Sequence, residues 1–385
     1  MAIAPGPVFP LRAVSSEQLQ NLGKVMWDWN LCNTCHGNAL CSQPVCPWNK
    51  AGRLCTFWQR YRMLTAEYAP ESAASSSPAL SSHDDLIRLI QAIGNGPDLT
   101  RERIVESHFS APNSNGRICT NAADRHRAMD IAASVVFMTN HKPWQHSADF
   151  FEEPDPPILW RSNTTATAFM SEAFPYASPG FLASSLGDIR FSDLLWSLAA
   201  SKLVKAGFRL EPTDDLSSHL TMDFTGRKKV IRIFHCSAAL KEVLLASRPD
   251  GSRCLIPRSL ALEALGTLYD ILFPNIQSVA LISKYKLDSD LLVYDMARYR
   301  RVDDPRVDYV YFGIRLKDIY LELQRPTPLR PWENWFQKHS EQRYMMMATM
   351  IGVFIAVIIG ILGLGMSGFQ AYVAYQQWKH PVKGA

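Results

Sequence analysis

The sequence lacks the short motifs by which several large enzyme classes hold phosphate, metal or an acyl group. It contains no GxxxxGK[ST] phosphate loop, no HExxH zinc motif and no GxSxG nucleophile turn. Adjacent carboxylates do occur, but neighbouring side chains point in different directions, and such pairs are typical of helix caps and turns. The pairs are Asp84-Asp85, Asp214-Asp215 and Asp303-Asp304. We therefore predict no catalytic residue, and the sequence leans against an enzyme.

A strong net charge and a secretory signal are also missing. The formal net charge is +4 over 385 residues, which does not favour nucleic acid as the main partner. The first residues contain no apolar core of a signal peptide, so we predict a flexible N-terminus over 1–20 and a cytosolic body. In that compartment the eight cysteines would be reduced thiols rather than disulfides.

Charge is absent from one long stretch, because no Asp, Glu, Lys or Arg lies between Arg343 and Lys379. Its first part, 345–366, is apolar apart from one hydroxyl, and a helix needs about 20 such residues to cross a bilayer. Aromatic residues typical of the headgroup level flank it. They are Trp332, Trp335, Tyr344, Tyr372, Tyr375 and Trp378. The alternative is a buried core helix, but we predict a transmembrane helix over 345–366 and a short polar tail over 367–385.

The residues around the span predict its orientation. Four basic residues precede it and two follow it, which favours a cytosolic body in the manner of a tail-anchored, single-pass protein. They are Arg325, Arg330, Lys338 and Arg343 before the span, and Lys379 and Lys383 after it. The sequence does not identify the organelle.

The span also carries small residues every four positions. Ala348, Gly352, Ala356 and Gly360 lie on one helix face, and this spacing lets two membrane helices approach closely. We therefore expect two partners for this segment: the lipid bilayer along 345–366, and a second copy of the chain along this face.

Cysteine is concentrated in a Cys/Trp-rich segment over 21–69. Thiolate and imidazole are the ligands that zinc prefers, and a two-residue gap lets two sulfurs reach one ion. The candidate ligands are Cys32, Cys35, His36, Cys41, Cys46 and Cys55. Because a second pair with a two-residue gap is missing, the alternative interpretation is a set of free thiols. Those thiols would pack against Trp27, Trp29, Trp48 and Trp58.

The rest of the chain predicts a mainly α fold with a multi-helical body. A Ser/Ala/Pro linker over 70–83 leads to a helical body over 84–324, with a sub-boundary near 140–157. A Pro/Trp neck over 325–344 then leads to the span. Helical periodicity is clear at 99–109, 124–138, 188–206 and 315–323, and the FTGRKK turn predicts a small β-hairpin around Gly226.

This hairpin allows a nucleic-acid interpretation. A helix followed by a basic hairpin over 191–235 could form a winged-helix-like element that contacts phosphates. Its cations are Arg227, Lys228, Lys229 and Arg232. A solvated charged turn is the simpler alternative. His219 and His235 flank the hairpin and could face each other, as a hydrogen-bonded pair or as a site.

Residues 84–381 resemble a large group of filamentous-fungal proteins of unknown function with a single C-terminal membrane span. The stretches that carry the resemblance are TRERIVESHF (100–109), DRHRAMDIAASVVFM (124–138), LVKAGFRLEPTDDLSSHLTMD (203–223), VIRIFHCSAALKEVLLAS (230–247), IPRSLALEALGTLYDILFP (256–274), YFGIRLKDIYLELQRPTP (311–328) and the end from Trp335 to Pro381. The Cys/Trp-rich segment departs from that pattern. The resemblance implies a fungal source, a helical body and membrane attachment, and it implies no catalytic residue.

Three hypotheses follow from the sequence. The first is a non-enzymatic, membrane-anchored interaction or scaffold protein whose cytosolic body binds an unidentified protein. The second is an enzyme with an unfamiliar site that uses zinc at the cysteines. The third is nucleic-acid binding through the element near 191–235.

Overall fold

The structure is a computed structural model that describes most of the chain in two units. The described residues are 9–33, 35, 41–70, 77–141, 158–180, 195–225, 228–248, 254–274, 279–305, 307–326 and 344–379. One compact unit comprises Met1–Pro326 and the other Thr327–Ala385. The predicted sub-boundary at 140–157 and the neck at 325–344 fall largely outside the described residues.

Helices form the first half of the body. They are α1 (Ser16–Trp27), α2 (Cys55–Ala66), α3 (His83–Asn95), α4 (Arg101–Phe109), α5 (Ala122–Val136) and α6 (Ala166–Ala173), with a 3-10 helix at Pro47–Leu54 before α2. Side-chain caps explain where several of them begin, because a polar side chain accepts a hydrogen bond from an otherwise unpaired backbone N–H. Thr100 caps α4 in this way, as its position in the sequence predicts.

A three-stranded sheet follows a short helix, α7 (Ala200–Lys205). The strands are β1 (Phe208–Thr213), β2 (Met222–Thr225) and β3 (Lys228–Phe234), in the order β1-β3-β2. The pairing of β2 with β3 is antiparallel and confirms the hairpin around Gly226. The sheet has a third strand, because β1 pairs in parallel with β3, and Pro212 is tolerated there because β1 is an edge strand.

Helices also form the second half of the body. They are α8 (Ser237–Ala246), α9 (Arg258–Gly266), α10 (Val279–Lys284) and α11 (Gly313–Gln324). Helix α9 continues as a π-helix over Thr267–Leu272. The predicted mainly α fold is therefore confirmed. Its core is continuous from Leu22 in α1 through Leu89 in α3 to Leu244 in α8 and Leu316 in α11.

Three predicted local structures need correction. Helix α1 begins at Ser16, inside the stretch predicted as flexible. The end of the predicted linker is packed, since the Ala79 backbone N–H donates to the buried Asp124 carboxylate at 2.7 Å. The single helix predicted over 188–206 is interrupted, because Ala199 has an extended backbone (ψ 135°) just before α7. Residues 188–194 lie outside the described part.

The second unit contains one long helix, α12 (Tyr344–Lys379). Its stretch Met350–Gln376 is long and apolar enough to cross a membrane, and none of the side chains tested there is buried. Phe354, Ile361 and Leu364 are 69%, 64% and 76% exposed. The helix continues past residue 366 to Lys379, so the first part of the predicted short polar tail is helical.

Candidate metal centre

Four of the six predicted metal ligands converge in the structure. The Sγ atom of Cys32 lies 3.3 Å from that of Cys35 and 3.4 Å from that of Cys41. The Sγ atoms of Cys35 and Cys46 are 3.2 Å apart, and all four sulfurs lie within 4.8 Å of one another. Cys35, Cys41 and Cys46 are buried, and Cys32 is half-buried. This cysteine cluster could hold a metal ion.

Two backbone turns present the sulfurs to one point. The N–H of Cys35 donates to the Cys32 carbonyl at 3.2 Å, which folds the two-residue gap into a turn. The N–H of Cys46 donates to the Gln43 carbonyl at 3.1 Å and forms the second turn. The Gln43 N–H also donates to the Cys41 sulfur at 3.4 Å. A backbone N–H aimed at a sulfur favours the thiolate, which is the form that binds metal.

The spacing of the sulfurs suits one tetrahedral ion. Zinc–sulfur bonds of about 2.3 Å place neighbouring ligand sulfurs about 3.8 Å apart at the corners of a tetrahedron. The shortest separations, 3.2–3.4 Å, are slightly smaller than this, and the longest do not exceed 4.8 Å. Small side-chain rotations would therefore produce the coordination geometry, and four thiolates would leave no open position for water or substrate.

The protein environment alone does not favour a thiolate at Cys35. Burial, together with the neighbouring thiols of Cys46, Cys41 and Cys32, raises the pKa of the Cys35 thiol above its ordinary value. Without a cation, Cys35 is consequently a neutral thiol at pH 7. A divalent ion reverses this balance because it stabilises negative charge on sulfur, and its binding releases protons.

Tryptophan side chains pack beside the cluster. Trp27 and Trp29 have ring centroids 5.2 Å apart, and Trp58 lies 5.8 Å from Trp27 and 6.4 Å from Trp48. The four rings belong to the same hydrophobic core as Cys35, Cys41 and Cys46. With its amide oriented to match its neighbours, Gln20 donates to the Cys35 carbonyl and accepts from the Trp48 indole. The aromatic core and the turn of the cluster are therefore joined through α1.

Three polar contacts, made by one buried and one half-buried side chain, connect the Cys/Trp-rich segment to the helical body. The indole N–H of Trp29 donates to the Glu242 carboxylate on α8 at 2.8 Å. Arg53, in the 3-10 helix after Cys46, forms ion pairs with Asp290 at 2.6 Å and with Asp295 at 3.0 Å. The segment therefore packs on the body through specific contacts.

Of the other two predicted ligands, Cys55 does not join the cluster, and the position of His36 is not described. Cys55 is exposed at the first turn of α2, and its sulfur lies 3.8 Å from the Thr56 hydroxyl. His36 lies outside the described residues. The observed ligand pattern is two, five and four residues between successive cysteines, so the second pair has a four-residue gap.

A second group of metal-binding residue types lies at the end of the sheet. His235 Nε2 is 2.9 Å from the Asp214 carboxylate, and the Cys236 sulfur lies 3.6 Å from the same oxygen. Local sequence carries no signal of this group, because Asp214 and His235 are 21 positions apart. Burial and the nearby Asp214 raise the pKa of Cys236 well above its ordinary value. We interpret this group as a hydrogen-bonded structural contact.

His219 and His235 have separate partners. The Phe234 N–H donates to Nδ1 of His219 at 3.1 Å, and Nε2 lies 2.6 Å from the Thr267 hydroxyl. His219 is completely buried, whereas His235 pairs with Asp214 near the surface. The two histidines are therefore structural, each in its own contact.

Two cations of the hairpin are paired within the body. Lys229 Nζ lies 2.6 Å from the Glu322 carboxylate, and the Lys229 side chain is only 9% exposed. Arg232 lies 2.6 Å from Asp223. These pairs place two of the four cations proposed for phosphate contact in intramolecular interactions. The side chains of Arg227 and Lys228 lie outside the described part.

No protein-family profile, curated protein or solved structure matches this chain.

Proposed function

We propose that this chain is a single-pass, membrane-anchored interaction protein with a cytosolic helical body stabilised by zinc. The observation that supports the anchor is the exposed apolar surface of α12. Transfer of such surface out of water is favourable by about 25 cal/mol per Å², and a helix satisfies its own backbone hydrogen bonds inside lipid. A bilayer is the environment that suits all faces of this helix at once.

Zinc is the metal that best fits the cysteine cluster. Four sulfur ligands in a tetrahedral arrangement favour zinc or iron–sulfur centres. Sulfurs within 4.8 Å of one another suit a single ion, because an iron–sulfur cluster needs space for its own sulfides between the protein ligands. Since four thiolates complete the coordination, the ion would stabilise the fold, and this supports an interaction protein over a zinc-dependent enzyme.

Carbonate extraction tests the anchor. We expect full-length protein to remain in the membrane pellet after an alkaline carbonate wash, and a variant that ends at residue 343 to be released. Protease added to sealed intact cells should leave a cytosolic body undigested, and protease added to isolated intact organelles should digest it. Release of the full-length chain by carbonate would exclude a transmembrane α12.

Metal analysis tests the zinc centre. We expect one zinc per purified chain, lost in Cys35→Ser and in Cys46→Ser. Cys55→Ser is the matched control, because Cys55 is exposed and outside the cluster, and it should keep the full zinc content. A wild-type chain that contains no metal, or that contains iron with inorganic sulfide, would contradict the proposal.

A further inference from the structure

A cavity of about 250 Å³ lies beside the cysteine cluster. Its wall includes Cys46 itself, the aromatic residues Trp27 and Trp29, and the charged residues Asp28, Glu242 and Lys50. Cavities that enclose a whole drug-sized ligand measure about 300–1,000 Å³. This cavity is therefore large enough for a small chemical group but too small to enclose a whole drug-sized molecule.

Glu242 is a buried carboxylate that lacks a cationic partner. It is only 7% exposed, and its hydrogen bond comes from the neutral indole N–H of Trp29. No lysine, arginine or histidine nitrogen within the described parts of the chain lies within 4.0 Å of it. Because a buried charge is costly unless it is paired, this position favours a cation supplied from outside the chain.

The tryptophan side chains of the cavity wall favour one chemical class of cation. Trp27 and Trp29 are 3% and 7% exposed, and their rings are tilted by 41° to each other. A cation near the faces of tryptophan rings is attracted by their quadrupoles, and quaternary ammonium groups are recognised in this way. A metal ion would instead require several ligand atoms at one point. Asp28, Cys46 and Glu242 line the cavity, but the described residues bring no three thiol, imidazole or carboxylate atoms together there within 4.8 Å.

We propose that this cavity binds a trimethylammonium group, with its methyl groups against Trp27 and Trp29 and its charge near the Glu242 carboxylate. The rest of the wall suits this occupant, since Val45, Pro47, Leu245 and Ala246 offer apolar surface to the methyl groups. Burial raises the pKa of Glu242, the Trp29 indole, Lys50 and Arg53 lower it less strongly, and a bound cation would lower it further. The cavity does not depend on the membrane anchor or on its orientation.

Calorimetric titration of the detergent-solubilised full-length protein tests this assignment. The probes are choline and its neutral isostere 3,3-dimethylbutanol, which has the same shape without the charge. We expect choline to bind at least about tenfold more tightly than the isostere.

A soluble short-chain phosphatidylcholine serves as a second probe. If this phosphatidylcholine binds more tightly than choline, the trimethylammonium group belongs to a lipid head group. If it binds more weakly, the group belongs to a small soluble ligand.

Two variants with opposite expectations make the test specific. Glu242→Gln keeps an oxygen for the Trp29 indole but removes the charge, and we expect it to weaken choline binding about tenfold. Lys50→Gln removes the one cation among the described residues of the cavity wall, and we expect it to strengthen choline binding. Both variants should keep the wild-type zinc content, so that failure here is distinguishable from loss of the metal centre. Equal binding of choline and its isostere by the wild type, or no binding of either, would overturn the proposal.

Discussion

Lys241 Nζ lies 3.0 Å from the Asp290 carboxylate, and the two side chains are 1% and 0% exposed. The same ammonium is 2.9 Å from Asp295 and lies 4.9 Å from the centre of the Tyr269 ring. Arg53 of the Cys/Trp-rich segment pairs with both aspartates. This buried network therefore joins the Cys/Trp-rich segment to the helical body.

We expect Lys241→Met to destabilise the body strongly. Removing one partner of a buried ion pair costs about 3–5 kcal/mol, because the remaining charge is left without compensation. Chemical denaturation of the purified protein would measure the loss. Lys202→Met is the control, since Lys202 is exposed on α7 and should change the free energy of unfolding by less than about 0.5 kcal/mol. A Lys241 variant as stable as the wild type would show that the network is not a structural connection.

We expect Gly23→Ala to disturb the packing of Trp29. A Cβ at position 23 would lie 2.2 Å from the Trp29 ring, and α1 cannot accept it without displacing that ring. Overpacking of this kind destabilises a protein by about 1–3 kcal/mol. Here it would also weaken zinc binding, because only two residues separate Trp29 from Cys32. Thermal unfolding and zinc affinity are the measurements.

Gly52→Ala is the matched control for that substitution. No atom lies within 4 Å of a Cβ placed on Gly52. Alanine there reduces the freedom of the unfolded chain, so we expect stability to stay the same or to rise by about 0.4–1 kcal/mol. Equal behaviour of the two variants would argue against the close contact between Gly23 and Trp29.

We expect the stability of the body to fall with acid through His219. Burial and the nearby Arg315 lower the pKa of His219 from 6.5 to about 3 in the folded state. Between these two values the unfolded chain binds a proton that the folded chain does not, so stability rises with pH across this window. The free energy of unfolding therefore decreases as the pH falls, by at most about 1.4 kcal/mol per pH unit for one proton.

The variant that checks this effect is His219→Gln. It should be less stable than the wild type at pH 7, because it loses the contacts to Phe234 and Thr267. Between about pH 6 and pH 4, its free energy of unfolding should also depend less steeply on pH. The difference in slope should correspond to about one bound proton. Parallel pH profiles for the two proteins would show that His219 does not carry the effect; His141, whose pKa burial also lowers to about 3, would then be the next candidate.

We expect the small residues of α12 to mediate pairing of two chains in a membrane. Open space lies around the Cα atoms of Gly352 and Gly360, so a second helix could approach closely there. Gly352→Ile should reduce cross-linked dimer in lipid vesicles several-fold. Gly365→Ile adds the same bulk on another helix face and should leave the dimer unchanged. Similar yields from both variants would remove this face as the interface.

Much of the helical architecture could be predicted from local sequence. The cap at Thr100, the hydrophobic periodicity of α5 and α11 and the uncharged run of α12 are local signals, and each produced the expected helix. Strand β1 was missed because its pairing with β3 is parallel and joins residues about 20 positions apart. A parallel partner leaves no turn signal in the intervening sequence.

The composition of the candidate metal centre and of the apolar helix could be read from the chain, because both depend on residue types that are close together in it. The packing of the folded chain shows which cysteines belong together and which one, Cys55, stays apart. It also placed Glu242 against Trp29 and Lys241 against Asp290. Such contacts depend on how separate helices pack, and packing brings together residues whose spacing in the chain carries no information about their distance in space.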